Sequence, residues 1–325
     1  MAYLILIIGL VVLVLAGDLL VRGSVIIASR LGIPALIIGL TIVALGTSAP
    51  ELVISLDAAL SGAPGIAVGN VVGSNIANIL LVLGLPSILM ATRCDQPMLL
   101  RNTVFMVGAT LVFIALAFTS PLHIWQGLVL VTLMAGFLWI SASRALSAMN
   151  GTDTGRQSLP DGAARRPLHQ RVMPAIMVVA GLVGLPLGAH LTVEGAREIA
   201  LAWGMSNAAV GLTVVAIGTS LPELAATVMA AVRRESAIAV GNVIGSNIFN
   251  LLAIMGITAI AAPVPVAPDV LHIDLWIMLA AALAIVPFVF WRIRIGWLAG
   301  LIFVATYLVY IATVIGERST ALAAS

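Results

Sequence analysis

Two glutamates stand at matching places in two copies of one motif. Glu51 ends the sequence Gly-Thr-Ser-Ala-Pro-Glu, and Glu223 ends Gly-Thr-Ser-Leu-Pro-Glu 172 residues later. Each lies in a stretch apolar enough to enter a lipid bilayer, where an acidic side chain costs about 2.5 to 3.5 kcal/mol on insertion scales. An acidic residue retained at that cost indicates a functional site, and the chemistry it offers is cation binding or proton exchange.

The proline before each glutamate predicts a break in the helix that carries the motif. Proline cannot donate a hydrogen bond to the carbonyl four residues earlier, and its ring pushes that carbonyl away. We therefore expect backbone oxygens near Ala44, Gly46 and Thr47 to lack helical partners. Inside a membrane, such oxygens are tolerated only where they line a cavity or meet a cation.

Polar side chains recur beside each glutamate and in a second motif. Thr47 and Ser48 precede Glu51 by four and three residues, so their hydroxyls share its helical face. The second motif, Gly-Asn-Val-x-Gly-Ser-Asn-Ile-x-Asn, places a polar residue at every fourth position of an apolar helix. The remaining polar members are Thr219 and Ser220 before Glu223, then Asn70, Ser74 and Asn78, and Asn242, Ser246 and Asn250. The adjacent glycines (Gly69, Gly73, Gly241 and Gly245) predict close helix packing.

All these groups offer oxygen atoms, and oxygen ligands favour hard cations such as Ca²⁺ and Na⁺. Zinc or copper would call for histidine or cysteine, and neither occurs in the motifs. Two facing glutamates would repel each other unless a cation lay between them. One divalent ion would neutralise the pair.

The two motifs belong to an internal duplication. Residues 39–84 align without a gap with residues 211–256, and about 26 of the 46 positions are identical. A repeat of this quality means that any site built by one copy has a counterpart in the other.

Composition sets the class of protein. The chain is 62% hydrophobic and 9% charged, which indicates a polytopic helical membrane protein. Its arginines are scattered through short loops, so no nucleic-acid partner is expected. The single cysteine, Cys94, excludes a disulfide framework. No nucleophile and base are paired, so we expect no enzyme activity and no cofactor, and no obligate protein partner is evident.

The fold class predicted is an all-α polytopic membrane protein with ten transmembrane helices, arranged as two inverted-topology five-helix repeats. The spans fall at about 3–28, 35–60, 65–91, 99–119, 122–142, 172–196, 206–231, 236–262, 272–291 and 295–315. Residues 1–142 form the first repeat and residues 172–316 the second. A polar linker, 143–171, joins them, and 317–325 is a short tail. Five spans per repeat is an odd number, so the second repeat enters the membrane from the opposite side.

Arginine placement predicts the orientation, because cytoplasmic loops carry an excess of basic residues. With both termini outside and the linker in the cytoplasm, all but three of the arginines lie on the inner side. The inner set is Arg30, Arg93, Arg101, Arg144, Arg156, Arg165, Arg166, Arg171, Arg233, Arg234, Arg292 and Arg294. The protein is therefore expected to be multi-pass in the cell membrane.

Two groups of charges outside the motifs have simpler interpretations. Asp18 and Arg22 are four residues apart on span one, which predicts an intrahelical ion pair. Arg233, Arg234 and Glu235 form a charged turn after span seven, which we expect to fix topology and nothing more.

At the paired motifs the chain resembles the cation/Ca²⁺ antiporter superfamily, and most closely its prokaryotic sodium/calcium exchanger branch. The resemblance implies four ion sites in a diamond between spans two, three, seven and eight, with spans one and six sliding against this core to alternate access. It assigns Glu51 and Glu223 as shared central ligands. The further ligands it implies are oxygens of Thr47, Ser48, Thr219 and Ser220, carbonyls of Ala44 and Ala216, and side-chain oxygens of Ser74, Ser246, Asn78 and Asn250.

One departure bears on the coupling ion. Some relatives carry aspartate at one of the positions matching Asn78 and Asn250, whereas this chain has asparagine at both. With one carboxylate fewer, proton coupling and potassium co-transport are disfavoured. The function predicted is a secondary antiporter exchanging Na⁺ for Ca²⁺ by alternating access. The alternatives are a Ca²⁺/H⁺ antiporter, in which a glutamate carries the proton, and a cation channel, which the inverted repeat disfavours.

Overall fold

The computed structural model describes residues 1–151, 168–203 and 216–323, and these residues are almost entirely helical. The helices are α1 (Ala2–Leu31), α2 (Ala35–Thr47), α3 (Ala49–Leu60), α4 (Pro64–Leu89), α5 (Leu99–Ala117), α6 (Ile124–Gly151), α7 (Leu168–Ala202), α8 (Ala216–Thr219), α9 (Leu221–Val232), α10 (Ser236–Ala261), α11 (Val270–Phe290) and α12 (Trp297–Ala323). Two short strands, β1 (Thr92–Arg93) and β2 (Arg294–Ile295), pair antiparallel and join the loop before α5 to the loop before α12.

Within the described residues, eight helices are long and apolar enough to cross a bilayer, and the bent pair α2 and α3 makes a ninth candidate. Helix α9 is apolar but has only 12 residues, and predicted span seven, to which it belongs, begins outside the described residues. The other predicted spans each coincide with a helix or helix pair, although α6, α7 and α12 run on into the predicted linker and tail. The chain is a mostly helical, multi-pass membrane protein.

The predicted helix breaks are present in both copies of the motif. Helix α2 ends at Thr47, and α3 begins at Ala49 with Pro50 as its second residue, at an angle of 43° to α2. In the second copy, Ser220 separates α8 from α9, and Pro222 takes the same second position. The residues between the helices, Ser48 and Ser220, have nearly identical backbone angles (φ −87°, with ψ 6° and 4°). Each break therefore places its glutamate in the first turn of a new helix.

Glycines let α10 cross directly over α2. A Cβ atom on Gly241 would lie 2.8 Å from the carbonyl oxygen of Leu36, and one on Gly245 would lie 2.6 Å from that of Leu40. This contact confirms the predicted close packing for the second copy. A Cβ on Gly69 or Gly73 would meet nothing among the described residues, and the residues equivalent to the α2 contact, 208–212, lie outside them.

A second glycine-lined contact, which we call the seam, joins α1 to α7 along most of their lengths. The helices run antiparallel, since Gly9 meets Thr192 while Gly23 meets Pro174 and Val178. On α7 the seam glycines are Gly181, Gly184, Gly188 and Gly195. Added Cβ atoms at the seam glycines would come within 2.5–2.8 Å of the opposite helix. The two helices therefore pack closely along the seam.

An ion pair links α1 to the end of α9 and corrects one prediction. Asp18 pairs with Arg22 at 3.0 Å, as predicted, but it also accepts hydrogen bonds from Arg233. Both residues are partly buried, with 19% and 31% of their side chains exposed. The expectation that Arg233 serves topology alone is wrong, because its guanidinium reaches across to a carboxylate 215 residues away. Intrahelical spacing could not reveal this partner.

Candidate cation-binding site

Glu51 and Glu223 lie just after the two helix breaks, in the first turns of α3 and α9, and each is 1% exposed. A helix N-terminus carries a partial positive charge that favours a carboxylate, but it supplies only part of what a fully buried charge requires. The Oε2 atoms of both glutamates are buried and lack a hydrogen-bond partner among the described residues. Two buried carboxylates in this condition call for a cation.

The hydroxyls of the first motif reach across to the second. Ser48 donates to Oε1 of Glu223 at 2.8 Å. Thr47 approaches Oδ1 of Asn242 at 3.2 Å and the carbonyl oxygen of Ala44 at 3.3 Å. Since the copies lie 172 residues apart, the fold has brought the two motifs into one site, as the duplication implied.

Ser48→Ala should weaken cation binding because Ser48 holds the carboxylate of Glu223. A hydrogen bond to a charged group is worth about 1.5 to 3 kcal/mol, so we expect the half-saturating Ca²⁺ concentration to rise about tenfold or more. Ser87→Ala is the control, since Ser87 is also buried and hydrogen-bonded, to the Leu83 carbonyl at 2.8 Å, but lies outside the predicted ligand set. We expect it to shift that concentration less than about threefold. Uptake of ⁴⁵Ca²⁺ by proteoliposomes over a range of Ca²⁺ concentrations measures both, and equal shifts would contradict the assigned role of Ser48.

The amides of the second motif complete the donor set. Asn78 and Asn250 are 1% and 0% exposed, and both polar atoms of each amide lack a partner among the described residues. Ser246 is fully buried with an unpartnered hydroxyl, and Ser74 is 4% exposed. Asn78 and Asn250 begin π-helical segments, Asn78–Leu83 and Asn250–Ile254. Wide turns of this kind occur often at functional sites.

Asn70 and Asn242, the first polar residues of the second motif in each copy, have a different role from Asn78 and Asn250. The side-chain amide of Asn70 donates to the main-chain carbonyl of Glu51 at 3.3 Å and to the Ser55 hydroxyl at 2.9 Å. The equivalent amide, that of Asn242, donates to the Glu223 carbonyl at 3.4 Å and to the Thr227 hydroxyl at 3.0 Å. Both asparagines therefore brace the first turn of the helix that carries the glutamate. The sequence signal was available, because Ser55 and Thr227 occupy equivalent positions of the duplication.

The carbonyl oxygen of Ala44 does not lack partners, contrary to expectation. It accepts a hydrogen bond from the Ser48 amide at 3.0 Å as well as from the Thr47 hydroxyl. Helical bonding thus persists up to Ser48, and the missing donor is that of Pro50. Its counterpart Ala216 begins α8, where Thr219 is the last residue. The other candidate ligands lie on α2, α3, α4, α9 and α10 or, like Ser48 and Ser220, at the breaks.

The arrangement is suited to a hard cation. Its donors are carboxylate, amide and hydroxyl oxygens, the ligands that Ca²⁺ and Na⁺ prefer. The described residues include no cluster of three or more His, Cys, Asp or Glu side chains. With two carboxylates, the site can balance one divalent or two monovalent ions.

Comparisons with known proteins point the same way. A family model described as "Sodium/calcium exchanger protein" matches residues 1–142 and 173–316. The chain is 32% identical to the sodium/calcium exchanger MaX1 of Methanosarcina acetivorans, over 91% of this chain and 92% of that protein. It is 35% identical to the inner membrane protein YrbG of Escherichia coli K12, over 88% of each. Among solved structures, the sodium-calcium exchanger NCX_Mj soaked with Na⁺ and Sr²⁺ is similar with a TM-score of 0.81, 30% identity, and coverage of 96% of this chain and 97% of that one.

Proposed function

Since the chain belongs to the sodium/calcium exchanger protein family, we propose that it is a secondary antiporter that exchanges Na⁺ for Ca²⁺ across the cell membrane. One observation carries the proposal. Buried oxygens of Glu51, Glu223, Asn78, Asn250 and Ser246 all lack partners among the described residues, and all belong to the duplicated motifs. Buried polar groups are almost always hydrogen-bonded, so a cluster of exceptions points to ligands for a bound cation. Ca²⁺ and Na⁺ would compete for these oxygens.

The proposed architecture has ten transmembrane helices in two inverted five-helix repeats, both termini outside, and the linker in the cytoplasm. The antiparallel packing of α1 and α7, the first helices of the two halves, supports the inversion. The matching breaks and asparagine braces support a twofold-related core. In such an architecture, the ion site lies near the middle of the membrane, between the two repeats. It can then open in turn to one side of the membrane and to the other.

The coupling ion can be established by transport measurements. We expect proteoliposomes loaded with Na⁺ and diluted into Na⁺-free buffer to take up ⁴⁵Ca²⁺, because outward Na⁺ movement drives the exchange. Matched vesicles carrying only a pH gradient should take up no more than protein-free vesicles. Uptake driven by the pH gradient alone would overturn Na⁺ coupling and make the glutamates proton carriers. If three Na⁺ exchange for one Ca²⁺, one net charge crosses per cycle, and an imposed potential should change the driving force by about 2.3 kcal/mol per 100 mV.

A further inference from the structure

A small cavity lies between the first turns of α5 and the last turns of α6, away from the cation site. Its volume is about 70 Å³, room for a group the size of a phosphate. Arg101 and Arg144 line it from the two helices. Neither arginine forms an ion pair with any described residue. Two guanidinium groups that line one cavity and form no ion pair within the described part of the chain favour an anion.

The polar lining of the cavity is also unpartnered. Asn102 is 6% exposed and Ser141 is 8% exposed, and both line the cavity. Neither side chain forms a hydrogen bond with the rest of the described chain. Both can donate to an anion. The N-terminus of α5, a helix of 19 residues, adds its partial positive charge in the same place.

The rest of the lining is apolar and opens toward lipid. Phe105 and Phe137 stack at 5.0 Å and form one wall. Ile140, another lining residue, is 45% exposed; Trp139 and Val104, which precede Ile140 and Phe105 in the sequence, are 76% and 59% exposed. A soluble anion gains nothing from such surroundings, whereas the glycerol and acyl chains of a lipid do.

We propose that this cavity binds the phosphate of an anionic phospholipid, with Arg101 and Arg144 holding the phosphate oxygens. Arg101 lies in the first turn of α5 and Arg144 lies about two turns before the end of α6, and in the proposed orientation both are near the cytoplasmic headgroup region. Basic pockets between transmembrane helices on the cytoplasmic side are suited to such headgroups. The site is separate from the cation ligands and does not depend on the transported ion.

Native mass spectrometry of the detergent-solubilised full chain tests the proposal with phosphatidylglycerol, phosphatidylcholine and inorganic phosphate as probes. We expect the wild-type protein to bind one phosphatidylglycerol about 30-fold more tightly than Arg101→Gln/Arg144→Gln, the equivalent of about 1 kcal/mol for each arginine near an anionic surface. Arg234→Gln/Arg292→Gln is the control, since it removes two exposed arginines outside the cavity. This control should change binding less than about twofold, and phosphatidylcholine should bind all three proteins alike.

A second variant distinguishes loss of the lipid site from loss of the native fold. Ser141→Phe fills the cavity but keeps both arginines, and we expect it to lose phosphatidylglycerol to a similar extent. Undiminished phosphatidylglycerol binding in both cavity variants would overturn the proposal, as would equal losses in the control pair. Tight binding of inorganic phosphate that displaces the lipid would assign the cavity to a soluble anion and overturn the lipid assignment.

Discussion

Glu51→Gln and Glu223→Gln should each lower ⁴⁵Ca²⁺ uptake at least about 100-fold while leaving the protein folded. Each substitution keeps the shape of the side chain and removes one of the two carboxylates of the site. Removing one partner of a buried charged set costs about 3 to 5 kcal/mol, which corresponds to two decades or more in affinity. Both glutamates are 1% exposed, so water cannot replace the lost ligand without rearrangement.

The same variants should be at least as stable as the wild-type protein in ion-free buffer. Without a cation, the Oε2 atom of each glutamate lacks a partner among the described residues, and burying a neutral amide costs less free energy than burying an incompletely paired charge. Thermal unfolding with and without Ca²⁺ should show that the variants lose the Ca²⁺-dependent gain in melting temperature. Asp57→Asn is the control, because Asp57 lies on the same helix as Glu51 and is exposed. This variant should keep both the ⁴⁵Ca²⁺ uptake and the Ca²⁺-dependent gain in melting temperature. Full uptake by either glutamine variant would remove that glutamate from the site.

Gly245→Val should abolish folding into the native structure. A Cβ at this position would lie 2.6 Å from the carbonyl oxygen of Leu40 and 2.7 Å from Cβ of Ala44, closer than real Cβ contacts. Valine adds two methyl groups beyond that Cβ, so α10 would have to move away from α2. Overpacking typically costs about 1 to 3 kcal/mol, and displacement of a helix that lines the site costs more.

Gly136→Val is the matched control for Gly245→Val. Gly136 also lies within a long apolar helix, but a Cβ there would meet nothing within 4 Å among the described residues. Size-exclusion chromatography in detergent and thermal unfolding should show native behaviour for Gly136→Val and aggregation or a much lower melting temperature for Gly245→Val. Equal stability of the two variants would show that α2 and α10 do not cross as closely as described.

The broken helices and the buried oxygen-bearing side chains could be predicted because both depend on local chemistry. Proline lacks an N–H wherever it occurs, so Pro50 and Pro222 favour helix breaks, although Pro174 and Pro186 lie inside the continuous helix α7. Oxygen-bearing side chains in apolar helices are equally visible. Span boundaries followed from hydrophobic runs, since a lipid environment forces each run to be helical.

The long-range partners could not be predicted because they depend on helix packing. Nothing near Asp18 in the sequence indicates Arg233, and nothing near Asn70 distinguishes a brace for the Glu51 helix from a ligand. Spacing of four residues placed Asn70, Ser74 and Asn78 on one helical face, but these three positions extend over about 12 Å of the helix axis and can contact several helices. Which member meets which neighbour depends on the crossing angles, and these are set by small residues such as Gly241 and Gly245.

The seam between α1 and α7 constrains any motion of these helices. A Cβ added at Gly181, Gly184, Gly188 or Gly195 would lie within 2.8 Å of an atom of α1. Sliding α7 along α1 would therefore bring larger residues of α7 to places where the contact leaves room only for glycine. The seam therefore holds α1 and α7 in one register. In the proposed transport cycle, these two helices would move together as one unit.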